Sequence, residues 1–190
     1  MLSSGFASLV TTFYNTFGFI AVALLSAFIP WVVMVGMHVG TVPIAISQIA
    51  ETGIDPIMMP SFFIANFGQG GACLAVGVKT KDSKLKSFAF SSAFSDIVPG
   101  ISEPGMYGIT LRYKTPMIGA MIGSGFGGLY YGLMHVGTLA FLPPNLFQLT
   151  AYVGEGALAN NLIHACIGVV ITLIVSFIAT FILYKPEKVK

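Results

Sequence analysis

The stretch of sequence that decides the fold is Pro99-Gly100-Ile101-Ser102-Glu103-Pro104-Gly105-Met106-Tyr107-Gly108. It places one carboxylate, Glu103, between helix-breaking residues, with no lysine or arginine in its immediate sequence neighbourhood. A carboxylate is expensive to bury in a membrane, and where one occurs it usually lines a substrate or ion pathway. Prolines and glycines also leave backbone groups that need partners in protein, water or ligand. The stretch therefore predicts a re-entrant turn that lines a polar cavity, with Glu103 at its tip.

The composition supports a membrane setting for this turn. The chain has 190 residues, of which 55% are hydrophobic and only 8% are charged. Soluble domains carry about 25% charged residues, so these values predict an all-α integral membrane protein. The formal net charge of +2 is too small to indicate nucleic-acid binding.

Three stretches are apolar over the length of a membrane-spanning helix, which takes about 20 residues. They comprise residues 18–37, 116–142 and 160–184. The second carries Gly119, Gly123 and Gly127 at a four-residue spacing, which places small residues on one helix face. We expect this face to let another helix approach closely and to offer a surface on which a partner chain packs.

Two further stretches are apolar but interrupted by residues that a lipid-facing helix does not favour. Residues 61–78 contain Asn66 and Gln69 among several glycines, and residues 88–111 contain Asp96 and the turn described above. Irregular backbone at membrane depth is tolerated only where it lines a cavity, so both stretches predict discontinuous helices or hairpins at a binding site. A loop at the surface is the alternative for each stretch.

Basic residues form three clusters, which predict the topology. The clusters lie at 79–86, at 112–114 and at 185–190, and the first 78 residues contain neither lysine nor arginine. The positive-inside rule places all three clusters, and with them the C-terminus, in the cytoplasm. Residues 88–111 must then enter and leave the membrane on one side, as a hairpin does. The linker over residues 143–159 is expected outside.

Two side chains head the candidates for contact with a polar substrate. Glu103 and His38 offer a carboxylate and an imidazole, which accept hydrogen bonds from sugar hydroxyl groups, and the imidazole also donates. His38 ends the first apolar stretch, and the nearby Gly36 and Gly40 indicate irregular backbone there. A histidine that merely lies at the membrane interface is the alternative.

Asn66 and Gln69 are further candidates, because their amides can contact a polar solute. Their alternative role is to form hydrogen bonds with backbone groups that lack partners where a helix is interrupted. His135 and His164 lie in predicted spans, where each has two open roles: contact with a substrate, or a hydrogen bond between two helices. The sequence contains no phosphate-binding Gly-x-x-x-x-Gly-Lys loop, no metal-ligand cluster and no nucleophile with an adjacent base. We therefore expect no metal, no cofactor and no catalytic residue in this chain.

Residues 100–114 read Gly-Ile-Ser-Glu-Pro-Gly-Met-Tyr-Gly-Ile-Thr-Leu-Arg-Tyr-Lys. This run resembles the motif Gly-Ile-Thr-Glu-Pro-Ala-Ile-Tyr-Gly-Val-x-Leu-Arg of bacterial phosphotransferase-system sugar permeases, the membrane component IIC of enzyme II. The resemblance is greatest to the β-glucoside branch of the glucose superfamily, whose pattern residues 36–39, 65–72 and 78–87 also match. Ordered matches of this kind extend from residue 18 to residue 135.

The resemblance implies a multi-pass protein of the bacterial cytoplasmic membrane, surrounded by lipid, that binds a sugar and releases it inside as a sugar phosphate. It implies that Glu103 and His38 contact the sugar. The phosphoryl group would come from a phosphocysteine on a IIB domain, which a phosphohistidine on a IIA domain charges. Transfer then depends on holding the acceptor hydroxyl in line with the donor.

The chain departs from the family pattern in three respects. Ser102 stands where threonine is usual, and Val39 replaces a tryptophan that would stack on a sugar ring. The chain also resembles only the C-terminal, substrate-binding half of a IIC domain, with about three full spans plus re-entrant hairpin elements. Neither Cys73 nor Cys166 lies in the cysteine–arginine loop typical of IIB, so we expect the chain not to carry the phosphoryl group itself.

These departures define the expected domain and partners. Residues 1–190 are expected to form a partial IIC domain without IIB or IIA. Its partners would be IIB, IIA and the N-terminal half of the permease, and the complete permease would be a dimer. An ion-coupled secondary sugar transporter and a truncated remnant without function are the alternatives.

Overall fold

The computed structural model describes residues 17–186, which fold into helices joined by turns and short loops. The α-helices are α1 (Phe19–Met34), α2 (Val42–Thr52), α3 (Met58–Lys79), α4 (Ser83–Ile97), α5 (Glu103–Gly105), α6 (Leu111–Tyr113), α7 (Thr115–Leu133) and α8 (Asn161–Leu183). The other helical segments are 3-10 turns at Met37–Thr41, Leu146–Tyr152 and Gly156–Leu158 and a π-helical segment at Met106–Thr110. The described residues contain no β-strand, so the predicted all-α class is confirmed.

α3 is the central helix of the bundle. It contacts α1, α4, α7 and α8, and most of its residues are buried. It runs without interruption, so the expectation of a broken element over residues 61–78 is wrong. Its glycines serve close packing instead: a Cβ atom on Gly68 would collide with α7, one on Gly70 with α4 and one on Gly71 with α8. A glycine costs a helix only about 1 kcal/mol relative to alanine, which packing against four helices outweighs.

α7 and α8 pack along matching stripes of small residues. Three glycines of α7 face three hydroxyl side chains of α8, so closely that a Cβ atom on any of the glycines would collide with α8. The pairs are Gly119 with Thr180, Gly123 with Ser176 and Gly127 with Thr172. The predicted close helix contact is therefore confirmed. The expectation that this face receives a partner chain is wrong, because α8 already covers it.

α7 ends at Leu133, whereas the span predicted over residues 116–142 continues further. His135 has a left-handed backbone, with a φ angle of 51°, and the chain beyond it leaves the helix. The backbones of Thr138 and Asp55 then exchange two hydrogen bonds of 2.9 Å each. The predicted end is therefore wrong, because the apolar residues after Leu133 cover the end of the bundle instead of extending the helix.

Among residues 17–186, two segments have the length and composition of a membrane span: α3, and Gly156–Leu183, which contains α8. α8 matches the span predicted over residues 160–184. Its outward face is a stripe of large apolar side chains, whereas its buried face carries hydroxyl groups. The stripe consists of Ile163, Ile167, Val170, Ile174, Ile178 and Ile182. An apolar exterior over a more polar interior is typical of a helix that faces lipid.

Described residues of all three basic clusters lie at one end of the bundle. The Lys79 ammonium group donates a hydrogen bond to the Phe181 carbonyl near the end of α8. Lys84 and Arg112 line one cavity, and Arg112 and Lys185 line another. α4 therefore begins at this end and α6 returns to it, which is the hairpin path that the basic residues predict.

Asp55 fixes the opposite end of α3. Its carboxylate is 0% exposed and accepts hydrogen bonds of 2.9 Å from the N–H groups of Ile57 and Met58 and of 2.8 Å from that of Met59. Burial raises the pKa of the Asp55 carboxyl, and the three N–H donors oppose that rise. These bonds satisfy donors that otherwise lack partners at a helix N-terminus.

Candidate functional site

The chain reverses direction between α4 and α5, where the sequence predicts a turn. α4 ends at Ile97, Gly100 has a left-handed backbone with a φ angle of 77°, and α5 begins at Glu103. A Cβ atom on Gly100 would lie 2.9 Å from the Asn145 side chain, so this position requires glycine for space as well as for conformation. The break predicted within residues 88–111 is therefore present.

Hydrogen bonds hold this turn in place. The Ser95 hydroxyl donates to the Ile101 carbonyl at 2.8 Å, and the Ile101 N–H donates to the Ser95 carbonyl at 2.9 Å. The Asn66 amide nitrogen donates to the carbonyls of Gly100 at 3.2 Å and Pro144 at 2.5 Å. Asn66 therefore joins the turn both to the central helix and to the loop that precedes α8.

Asn66 also indicates how deep the turn lies. A helix rises about 1.5 Å per residue, so Asn66 lies roughly 12 Å from the start of α3 at Met58 and roughly 20 Å from its end at Lys79. The turn beside Asn66 is thus well inside the length of the bundle. A re-entrant hairpin holds its tip at such a depth.

Two carboxylates belong to this hairpin, one exposed and one buried. Glu103 is exposed at the start of α5, whereas Asp96 is 0% exposed and accepts no hydrogen bond from any described N–H or O–H group. A Cβ atom on Gly105 would lie 2.5 Å from the Asp96 carboxylate and 3.0 Å from the Cys73 sulfur. The absence of a side chain at Gly105 therefore lets α5 pack against both Asp96 and Cys73. Sequence spacing assigns Asp96 to the hairpin, but the proximity of Cys73 follows only from the fold.

His38 lies apart on the 3-10 turn Met37–Thr41. Gly36, two residues before His38, has a left-handed backbone with a φ angle of 75°. The irregular backbone predicted from the nearby glycines is therefore present. The His38 Nδ1 atom is buried without a partner among the described residues, and its backbone carbonyl accepts a hydrogen bond of 2.6 Å from the Thr41 hydroxyl. Within residues 17–186 no hydrogen bond or ion pair joins His38 to Glu103. The structure does not bring these two candidates into direct contact.

The remaining polar candidates are enclosed by helices. Gln69 is 1% exposed; its amide nitrogen donates to the Met117 sulfur at 3.7 Å, and its Oε1 atom has no partner among the described residues. The His164 Nδ1 atom lies 2.9 Å from the Tyr130 hydroxyl, which joins α7 and α8. Of the two roles that the sequence leaves open for His164, the structure therefore supports helix–helix hydrogen bonding.

Helices long and apolar enough to cross a membrane, packed around a turn with polar residues, are typical of helical membrane proteins. The family model described as "Phosphotransferase system, EIIC" matches residues 1–124. The chain belongs to this family.

Curated relatives agree with this family. The chain is 34% identical, over 96% of its length, to the PTS system arbutin-, cellobiose-, and salicin-specific EIIBC component of Escherichia coli (strain K12). It is 35% identical, over 96%, to the PTS system beta-glucoside-specific EIIBCA component of Bacillus subtilis (strain 168). It is also 35% identical, over 98%, to the PTS system sucrose-specific EIIBC component of the same organism. The chain spans 37%, 28% and 40% of these relatives. No solved structure matches the chain.

Proposed function

We propose that this chain is the sugar-binding part of a phosphoenolpyruvate-dependent sugar phosphotransferase permease. Residues 1–190 would form the C-terminal half of an EIIC domain. The observation that carries the proposal is the exposed Glu103 carboxylate, which stands on a turn held inside the bundle in a chain of the EIIC family. The names of the relatives favour a β-glucoside as the sugar, with sucrose as the second candidate.

Each candidate residue has a defined role in this proposal. The Glu103 carboxylate accepts hydrogen bonds from sugar hydroxyls and orients the hydroxyl that becomes phosphorylated. His38 is a second polar contact, supported by its buried Nδ1 atom without a partner among the described residues. Asn66 positions the turn through its two carbonyl contacts. Gln69 contributes its unpartnered carbonyl oxygen to the polar lining behind the turn.

The chain would work in the bacterial cytoplasmic membrane with partners that supply the phosphoryl group. The relatives are named as EIIBC or EIIBCA components, which supports IIB and IIA as those partners. We propose three spans, α1, α7 and α8, around the hairpin, with the N-terminal half of the permease and lipid covering the remaining surface in a dimer. α3 is then a fourth crossing, buried at the centre of the bundle, in addition to the three spans predicted from sequence.

Reconstitution tests the proposed function. Vesicles that contain the chain alone, with phosphoenolpyruvate and the two general phosphotransferase proteins, should form no sugar phosphate. Adding the N-terminal half, IIB and IIA should produce phosphorylated β-glucoside. Sugar phosphate from the chain alone would contradict the need for partners. Uptake of unmodified sugar driven by a proton gradient would instead identify an ion-coupled transporter.

A further inference from the structure

A cavity of about 500 Å³ lies at the basic end of the bundle, between the start of α7 and the end of α8. The cationic side chains of Arg112, Lys114 and Lys185 line it together with Thr115. The described residues that line it include no carboxylate. Like charges around one space repel one another, and an anion bound there would relieve this repulsion.

The surrounding structure constrains two of these three residues, Arg112 at its side chain and Lys114 at its backbone. The Arg112 guanidinium lies 5.5 Å from the centre of the Tyr113 ring, and that ring packs edge-on against Tyr184, directly after α8, at a centroid distance of 5.5 Å. Lys114 has φ and ψ angles of 60° and −53°, a conformation that non-glycine residues rarely adopt. Such strain persists where neighbouring structure imposes it, and it is concentrated at functional sites.

One wall of the cavity continues onto the surface that faces lipid. Leu183 lines the cavity, and the adjacent Ile182 is 69% exposed at the end of the apolar stripe of α8. A ligand that fits both surfaces has an anionic group at one end and hydrocarbon at the other. Free phosphate would use the cations but would leave the apolar wall uncovered.

We propose that this cavity binds the phosphodiester headgroup of an anionic phospholipid from the cytoplasmic leaflet. The planar guanidinium of Arg112 matches two phosphate oxygens, and Lys114 and Lys185 add point charges at the depth of the lipid headgroups. The acyl chains of the lipid then lie along the stripe of α8. This site is separate from the Glu103 turn and does not depend on the proposed sugar transport.

Lipid binding to the purified 190-residue chain in detergent tests this proposal, with native mass spectrometry as the readout. Phosphatidylglycerol should be retained in preference to phosphatidylcholine with the same acyl chains, and inorganic phosphate should not displace it. Combining Arg112→Gln with Lys185→Gln should weaken phosphatidylglycerol binding about 25-fold, because each cation near an anionic lipid contributes about fivefold.

Lys81→Gln is the matched control, since it removes an exposed cation of the same end that lines neither cavity. Its binding should stay within about twofold of the unaltered chain, as expected for a charge outside the site. If the double variant aggregates, Lys185→Gln alone should still show a loss of about fivefold. Equal retention of the two lipids, an equal loss in Lys81→Gln, or displacement by inorganic phosphate would each overturn the proposal.

Discussion

Asp55 joins two parts of the chain through both its side chain and its backbone. Its carboxylate accepts three N–H bonds at the start of α3, and its backbone pairs with Thr138 after α7. Asp82 caps α4 in a simpler way, with a single bond of 2.9 Å from the Lys84 N–H group at an exposed position. The two aspartates therefore allow a buried cap and an exposed cap to be compared within one protein.

Asp55→Ala should destabilise the chain by about 2–3 kcal/mol, because it removes a helix cap and leaves buried N–H donors without partners. Asp82→Ala should cost only about 0.5–1 kcal/mol, because water replaces its one exposed bond. Unfolding of both variants in the same detergent, followed by circular dichroism, measures the difference. Equal losses would contradict the buried role of Asp55.

At the residue scale, sequence reasoning succeeds where chemistry is local. A carboxylate among helix breakers is conspicuous in an apolar chain, and Glu103 does lie at the start of the segment after the turn. The hydrogen bonds from the Asn66 amide to the Gly100 and Pro144 carbonyls join residues that are distant in sequence. No spacing rule identifies such a contact, because it depends on how three segments pack.

The contact between α7 and α8 shows what glycine does at the scale of elements. A Cβ atom on Gly123 would lie 2.7 Å from backbone atoms of Ser176, which cannot move without displacing α8. A Cβ atom on Gly125 would meet its nearest neighbour, Ala27, at an ordinary 3.6 Å. The two glycines lie on the same helix but in different environments.

Gly123→Ala should destabilise the chain by about 1–3 kcal/mol, because the added methyl group forces the helices apart. Gly125→Ala should be neutral or stabilising by up to about 1 kcal/mol, because alanine favours a helix. Thermal unfolding of the two variants in one detergent checks this contrast. If Gly123→Ala unfolds at the temperature of the unaltered chain, the packing described for α7 and α8 is incorrect.

Glycine has two structural roles that sequence alone does not distinguish. Glycines at a four-residue spacing predict the face of α7 correctly, but the glycines of α3 suggest a break that is absent. Breaking a helix and admitting a neighbouring helix both require glycine, and only the neighbours distinguish them. Hydropathy also does not predict the end of α7, because the residues after Leu133 are still apolar although they cover the end of the bundle.

For the whole molecule, the common end of Lys79, Arg112 and Lys185, one residue from each basic cluster, supports a single orientation in the membrane. Lys84 lies at that end, and Glu155 lies in the linker before α8, where it is exposed. Cys73 is buried and Cys166 is exposed, so labelling experiments need Cys166→Ser as the background.

In that background, Lys84→Cys should react with a membrane-impermeant maleimide only from the cytoplasmic side. Glu155→Cys should react only from the outer side, because an odd number of crossings separates it from each basic cluster in the proposed topology. Labelling of intact cells and of inverted vesicles measures both sites. Reaction of the two cysteines from the same side would show that the topology is wrong.

Sugar binding by Glu103→Gln tests the central claim most directly. In the permease completed by the N-terminal half, the variant keeps the shape of the side chain but loses a charged acceptor, whose hydrogen bond contributes about 1.5–3 kcal/mol. Equilibrium binding of a β-glucoside should therefore weaken roughly tenfold or more. Glu155→Gln, which removes an exposed carboxylate from the linker, should bind the sugar as the unaltered protein does. Unchanged affinity in Glu103→Gln would contradict the assignment of the turn as the sugar-binding site.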